Sequence, residues 1–192
     1  MNVLFSLLIL LAPVKLEHGQ FTILKDGKKI GTEDYTIAKR GAGYFVEGKT
    51  AIGETVVSSQ MELDDKLGVT SYQVSSREGS IAVKVTPPVS ELQSIVNGET
   101  STADFRFPER GVILDDDFFH HYLILMYRVQ AGQNSFSVFV PREMRNGTAT
   151  VRSTGPGKYD LQVGEVRLQA TTDADGRLVR LAVPAVNVMV ER

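Results

Sequence analysis

The stretch Asp115–Val129, DDDFFHHYLILMYRV, sets three carboxylates and two histidines ahead of a nearly unbroken apolar run. Read as a helix, Asp115 is placed to cap it and Asp116 and Asp117 to fill its first turn, where carboxylates favour the positive end of the dipole. Phe118, Tyr122 and Met126 then share one stripe and Phe119, Leu123 and Tyr127 the next, with Ile124, Leu125 and Val129 covering the remainder. A helix apolar almost all round belongs in an interior. It is too short for a bilayer, which needs roughly 20 apolar residues, and Gly132 stops it soon after Arg128.

Everything around that stretch has strand character. Phe21–Leu24 and Ile30–Ala38 flank Asp26-Gly27, a pair suited to the positive φ values of a tight hairpin turn. Arg40–Gly43 turns again, and Ile81, Val83 and Val85 alternate with Ser80, Ala82 and Lys84 as in a strand with one face wet. Pro87-Pro88 interrupts the ladder, Asn97-Gly98 closes another hairpin, and Phe136, Val138 and Val140 alternate with serines and Phe139. Asn146-Gly147, Gly155–Gly157 and Asp173–Gly176 read as three more turns. About ten or more strands with one helix predict a mainly β chain: a large antiparallel sheet, curved or rolled into a half-barrel, with the helix against its concave face.

Composition limits the chemistry. Hydrophobic residues make up 42% and charged residues 23% of 192, as in an ordinary globular chain. With 21 basic against 23 acidic side chains, scattered along the chain, no electrostatic footprint for a phosphate backbone exists, so nucleic acid is not an expected partner. Zero cysteines exclude disulfides, thiol nucleophiles, Cys-ligated metals and a lipoprotein anchor cysteine. Val3–Leu11 has the length of a signal-peptide core and is too short to span a membrane, though no Lys or Arg precedes it and no A-x-A site follows. The expectation is an exported leader at residues 1–16, a single domain at 17–192, no integral membrane span, and a periplasmic or secreted location.

Asp117 and His121, like Asp116 and His120, stand four apart, a spacing that can place two metal ligands on one helix face. Adjacent histidines point about 100° apart, so His120 and His121 do not share one ion easily. Capping with one histidine buried and one exposed accounts for them better, and no metal or cofactor is expected. His18 carries no pattern. Glu33 and Tyr35 in GTEDY read as cross-strand neighbours, and no nucleophile elbow, dinucleotide fingerprint or phosphate loop occurs. No catalytic residue is therefore assigned.

Gly27, Ile30, Gly31, Glu33 and Tyr35 form a G-x-x-I-G-x-E-x-Y opening hairpin, and Asp173, Asp175, Gly176 and Arg177 a D-x-D-G-R closing hairpin. Together they cover about a fifth of the chain and resemble a group of bacterial cell-envelope proteins of unknown function. That group looks like relatives of the lipoprotein-carrier fold of the LolA and LppX type, in which a strongly curved sheet wraps an apolar cavity. The resemblance implies periplasmic handling of an acyl chain or another apolar ligand. This chain differs in carrying one convincing helix. The functional expectation is a non-enzymatic binding protein enclosing a lipid-like ligand through Phe118, Tyr122, Leu125 and Met126; the alternative is a structural or scaffold protein of the envelope acting through protein contacts.

Overall fold

The computed structural model describes residues 16–192, so the expected leader lies, Leu16 apart, outside the described residues. A first meander runs through β1 (Glu17–Lys25), β2 (Lys28–Arg40), β3 (Gly43–Ile52), β4 (Thr55–Leu63), β5 (Val69–Ser75), β6 (Gly79–Lys84), β7 (Ser90–Val96) and β8 (Glu99–Phe105). The chain then crosses to the far edge of the sheet. There β9 (Val112–Ile113) precedes the helix α1 (His121–Gln130), and a second meander returns through β10 (Ser135–Val140), β11 (Arg145–Gly155), β12 (Lys158–Val163), β13 (Val166–Thr172), β14 (Leu178–Val183) and β15 (Val188–Glu191).

All fifteen strands among the described residues belong to one sheet, in the order β8-β7-β6-β5-β4-β3-β2-β1-β15-β14-β13-β12-β11-β10-β9. The two meanders join where β1 pairs antiparallel with β15. Among the described residues only β9 and β10 run parallel, because the crossover between them is the helix. With β8 and β9 at opposite ends the sheet is open and not a barrel. The mainly β curved sheet with one helix is thus the observed fold.

Local sequence explains most turns. Asp26-Gly27 and Asn97-Gly98 take the paired positive φ angles that a two-residue hairpin demands. Asn146-Gly147 does not turn: both residues lie inside β11, opposite Phe139 and Val138. The reversal falls earlier, at a 3-10 turn over Pro141–Glu143 that ends on Met144 with φ 50°. Proline presets the first turn position, and the same device, Pro184–Val186 followed by Asn187 at φ 52°, joins β14 to β15.

One continuous apolar cluster occupies the concave side. Ile23, Ile37, Val46, Met61 and Tyr72 come from the first meander and Phe136, Leu161, Leu168, Leu181 and Val190 from the second. Leu123, Ile124, Leu125 and Met126 of α1 fill the space between them. Burial of a helix side chain of this size stabilises by about 1.5–3 kcal/mol, so the helix is held mostly by its apolar middle.

Candidate functional site

The acidic triple does not cap the helix. α1 begins six residues after Asp115, its N-cap position is His120 with no side-chain cap, and its first turn contains no carboxylate. Overlapping turns, with Phe118 N–H donating to Asp115 O and Tyr122 N–H to Phe119 O, lead the chain into it. Asp115 is buried: Tyr72 Oη donates to its Oδ2 at 2.9 Å and Arg142 Nε lies 3.5 Å from Oδ1. Burial raises its carboxyl pKa above the usual range against the pull of the Arg142 charge, and the neighbouring phenol of Tyr72 is pushed well up, by burial and then by Asp115. Asp117 pairs with Arg142 near the surface.

The capping carboxylate comes from the sheet. Glu33, in the second strand and wholly buried, accepts from Phe119 N–H at 2.8 Å and from His120 N–H at 2.6 Å. Its Oε1 also lies 2.9 Å from His120 Nδ1, and the Thr50 hydroxyl stands 2.9 Å from Oε2. Thr50 stands opposite it on β3, but the decisive partners are 86 and 87 residues away. A carboxylate so placed answers orphan N–H groups at the positive end of α1 and fixes the His120 ring at once.

On the far side of that ring, Nε2 lies 3.2 Å from Ser59 Oγ. The ring fits because position 48 is glycine: a Cβ there would stand 2.2 Å from His120 Cε1. Gly48 and Ser59 face each other across β3 and β4, so the sheet itself shapes the socket. Ser59, His120 and Glu33 follow the order hydroxyl, imidazole, carboxylate that acyl-transfer enzymes use. Here the hydroxyl is 2% exposed and β4 has a hydrogen-bonded strand on each side. The trio joins the start of the helix to β2 and β4.

His121 is also fully buried, which corrects the expectation of one buried and one exposed histidine: the two are 0% and 1% exposed. Its ring lies 4.5 Å from that of His120, 5.3 Å from Phe118 and 5.5 Å from Tyr72. Asp115 N–H donates to Nδ1 at 3.2 Å, and Nε2 has no partner. Burial, and secondarily His120, holds its pKa well below the ordinary histidine value. No group of three or more His, Cys, Asp or Glu side chains able to hold a metal ion occurs among the described residues.

At the other end of α1 the helix makes part-buried hydrogen bonds. Tyr127 Oη donates to Glu17 Oε1 at 3.1 Å, Arg192 reaches Glu17 Oε2 at 3.0 Å, and Gln130 bonds the Gly176 carbonyl. Tyr35 stacks on Phe21 with its hydroxyl buried and unpartnered; burial, then the Glu17 charge, raise its pKa to about 12.

The four residues expected to line a ligand site fall as follows. Phe118 lies in the turn before the helix and is fully buried; Leu125 and Met126 are fully buried within it; Tyr122 is half-buried. No described helix is long and apolar enough to cross a membrane. No family model, curated protein or solved structure significantly matches the chain.

Proposed function

We propose that this chain is a non-enzymatic binding protein of the cell envelope that takes a lipid-like or other apolar ligand between the concave face of the sheet and α1. The observation that carries this reading is the distribution of polar contacts along the helix. They sit at its two ends, Glu33 and Ser59 at one and Glu17 and Gly176 at the other, while Leu123–Met126 belong to the apolar cluster. An acyl chain entering beside this middle would meet apolar surface while the polar contacts at each end stay made. Phe118, Tyr122, Leu125 and Met126 are the residues that would touch the ligand, and the thioether and aromatic rings adapt to irregular shapes. The resemblance of the opening and closing hairpins to envelope proteins supports the same reading and the periplasmic or secreted location with it.

Native mass spectrometry of protein purified from a membrane-containing lysate, with lipid analysis of the organic extract, tests it. A stoichiometric apolar adduct that is lost in a folded Leu125→Phe or Met126→Phe variant is the expected result. A bare protein mass, with no uptake of added fatty acid or phospholipid, would refute it. In that event the second reading, an envelope scaffold, gains weight, because the outer edge of β8 is unpaired over Glu99–Phe105 and Ile95 and Val96 of the adjacent strand are exposed.

A further inference from the structure

We infer that His121 is a proton-operated latch: taking up a proton there releases the N-terminal end of α1 from the sheet. The argument is one of hydrogen-bond geometry. Nδ1 of His121 accepts from the Asp115 amide, so the ring proton of the neutral form must sit on Nε2. The one place left for a second proton is Nδ1, whose lone pair that amide already occupies. Protonation sets donor against donor and breaks the bond between the turn at Asp115 and the first residue of the helix.

The surroundings offer the new charge no relief. From the helix side His121 faces Phe118 and His120; from β5 it faces Tyr72. The Asp115 carboxylate is engaged by the Tyr72 hydroxyl and the Arg142 guanidinium, and Asp117 is taken by Arg142 as well. Glu33, on β2, is directed at His120 and the backbone N–H groups. The Nε2–H already lacks a partner, and a cation there would lie 4.5 Å from a second imidazole.

The sign follows from the depressed folded-state value. With the helix docked, His121 holds its proton more weakly than with the helix released, where the ordinary value of about 6.5 applies. Docking is therefore unaffected above that value and weakens as pH falls below it, by up to about tenfold per pH unit until the docked form itself takes the proton. The latch concerns the same helix as the ligand reading, but its test reads the helix alone, so one can fail without the other.

Hydrogen-exchange mass spectrometry on the purified chain at pH 7.5 and pH 5, corrected for intrinsic exchange, is the experiment. Protection of residues 115–130 is expected to fall about tenfold or more at pH 5, while β1–β4 stay protected. His121→Asn keeps a side-chain acceptor near the Asp115 amide and does not titrate, so it should keep its protection at both pH values. Wild-type protection that does not change with pH, or an Asn variant that loses protection as the wild type does, overturns the proposal. Should the variant not fold, imidazole nitrogen shifts in the wild type decide: a neutral His121 with its proton on Nε2 and an abrupt response below pH 6.5 supports the latch, and a proton on Nδ1 at neutral pH overturns it.

Discussion

The two ends of α1 are fastened by opposite means. At its start a single buried carboxylate from β2, Glu33, gathers two backbone amides, an imidazole and a hydroxyl out of contact with water. At its end Tyr127 and Gln130 make separate bonds to β1 and to the β13–β14 turn, and the Glu17 that Tyr127 meets is also paired with Arg192. Burial makes the first fastening strong in place and severe in failure, because any partner removed strands the rest in a low-dielectric interior. The second divides its bonds between two separate acceptors, so one can be lost while the other holds. The lesson is that a helix nearly devoid of its own capping chemistry is positioned by the sheet, through one shared carboxylate at its start and separate bonds at its end.

The largest expected effect removes what both ends hold. Leu125→Asp puts a carboxylate at a fully buried apolar position and should cost more than about 4 kcal/mol, abolishing the cooperative urea transition; a folded variant of wild-type stability would mean that the helix is not core. Next comes Glu33→Ala, which leaves two backbone amides and the His120 ring without their acceptor and should cost about 3–5 kcal/mol in chemical denaturation. A loss below 1 kcal/mol would show water reaching the knot and erase the contrast between the ends. Gly48→Ala forces the His120 ring out of its socket and should cost about 1–3 kcal/mol by the same measurement. A neutral result would place the ring elsewhere.

At the looser end, Tyr127→Phe keeps the ring and deletes the bond to Glu17, for an expected loss of about 1 kcal/mol in thermal unfolding; a loss as large as that of Glu33→Ala would invert the comparison. The smallest effect belongs to Tyr35→Phe, because the buried hydroxyl it removes has no partner, and stability at neutral pH should change by less than about 0.5 kcal/mol. Its signature is alkaline. The raised pKa of Tyr35 means that its contribution is intact below pH 10 and is lost as pH climbs toward 12, so the variant should resist alkaline unfolding better than the wild type. Titration followed by far-ultraviolet circular dichroism would show an unchanged midpoint if Tyr35 played no part.

Much of this arrangement was legible along the chain. The twofold alternation of Ile81, Val83 and Val85, the Asp-Gly and Asn-Gly turns after β1 and β7, and the apolar run from Tyr122 to Val129 depend on residues within a few positions of one another, and they determine strands, hairpins and a buried helix by themselves. What they did not determine is which carboxylate meets the helix. Three aspartates stand beside the helix in sequence, yet they lie in the turns before it, and the capping oxygen arrives from Glu33 across 87 residues. Nor could Gly48 announce that its missing Cβ is the floor beneath an imidazole, or His121 that its neighbour would be buried with it. Asn146-Gly147 teaches the same point in reverse, since the strand pairing with β10 overrides a strong local turn signal. Periodicity is a property of near neighbours and survives in the sequence; caps, sockets and the protonation geometry of a buried ring arise only where distant segments meet, and there the tertiary structure decides.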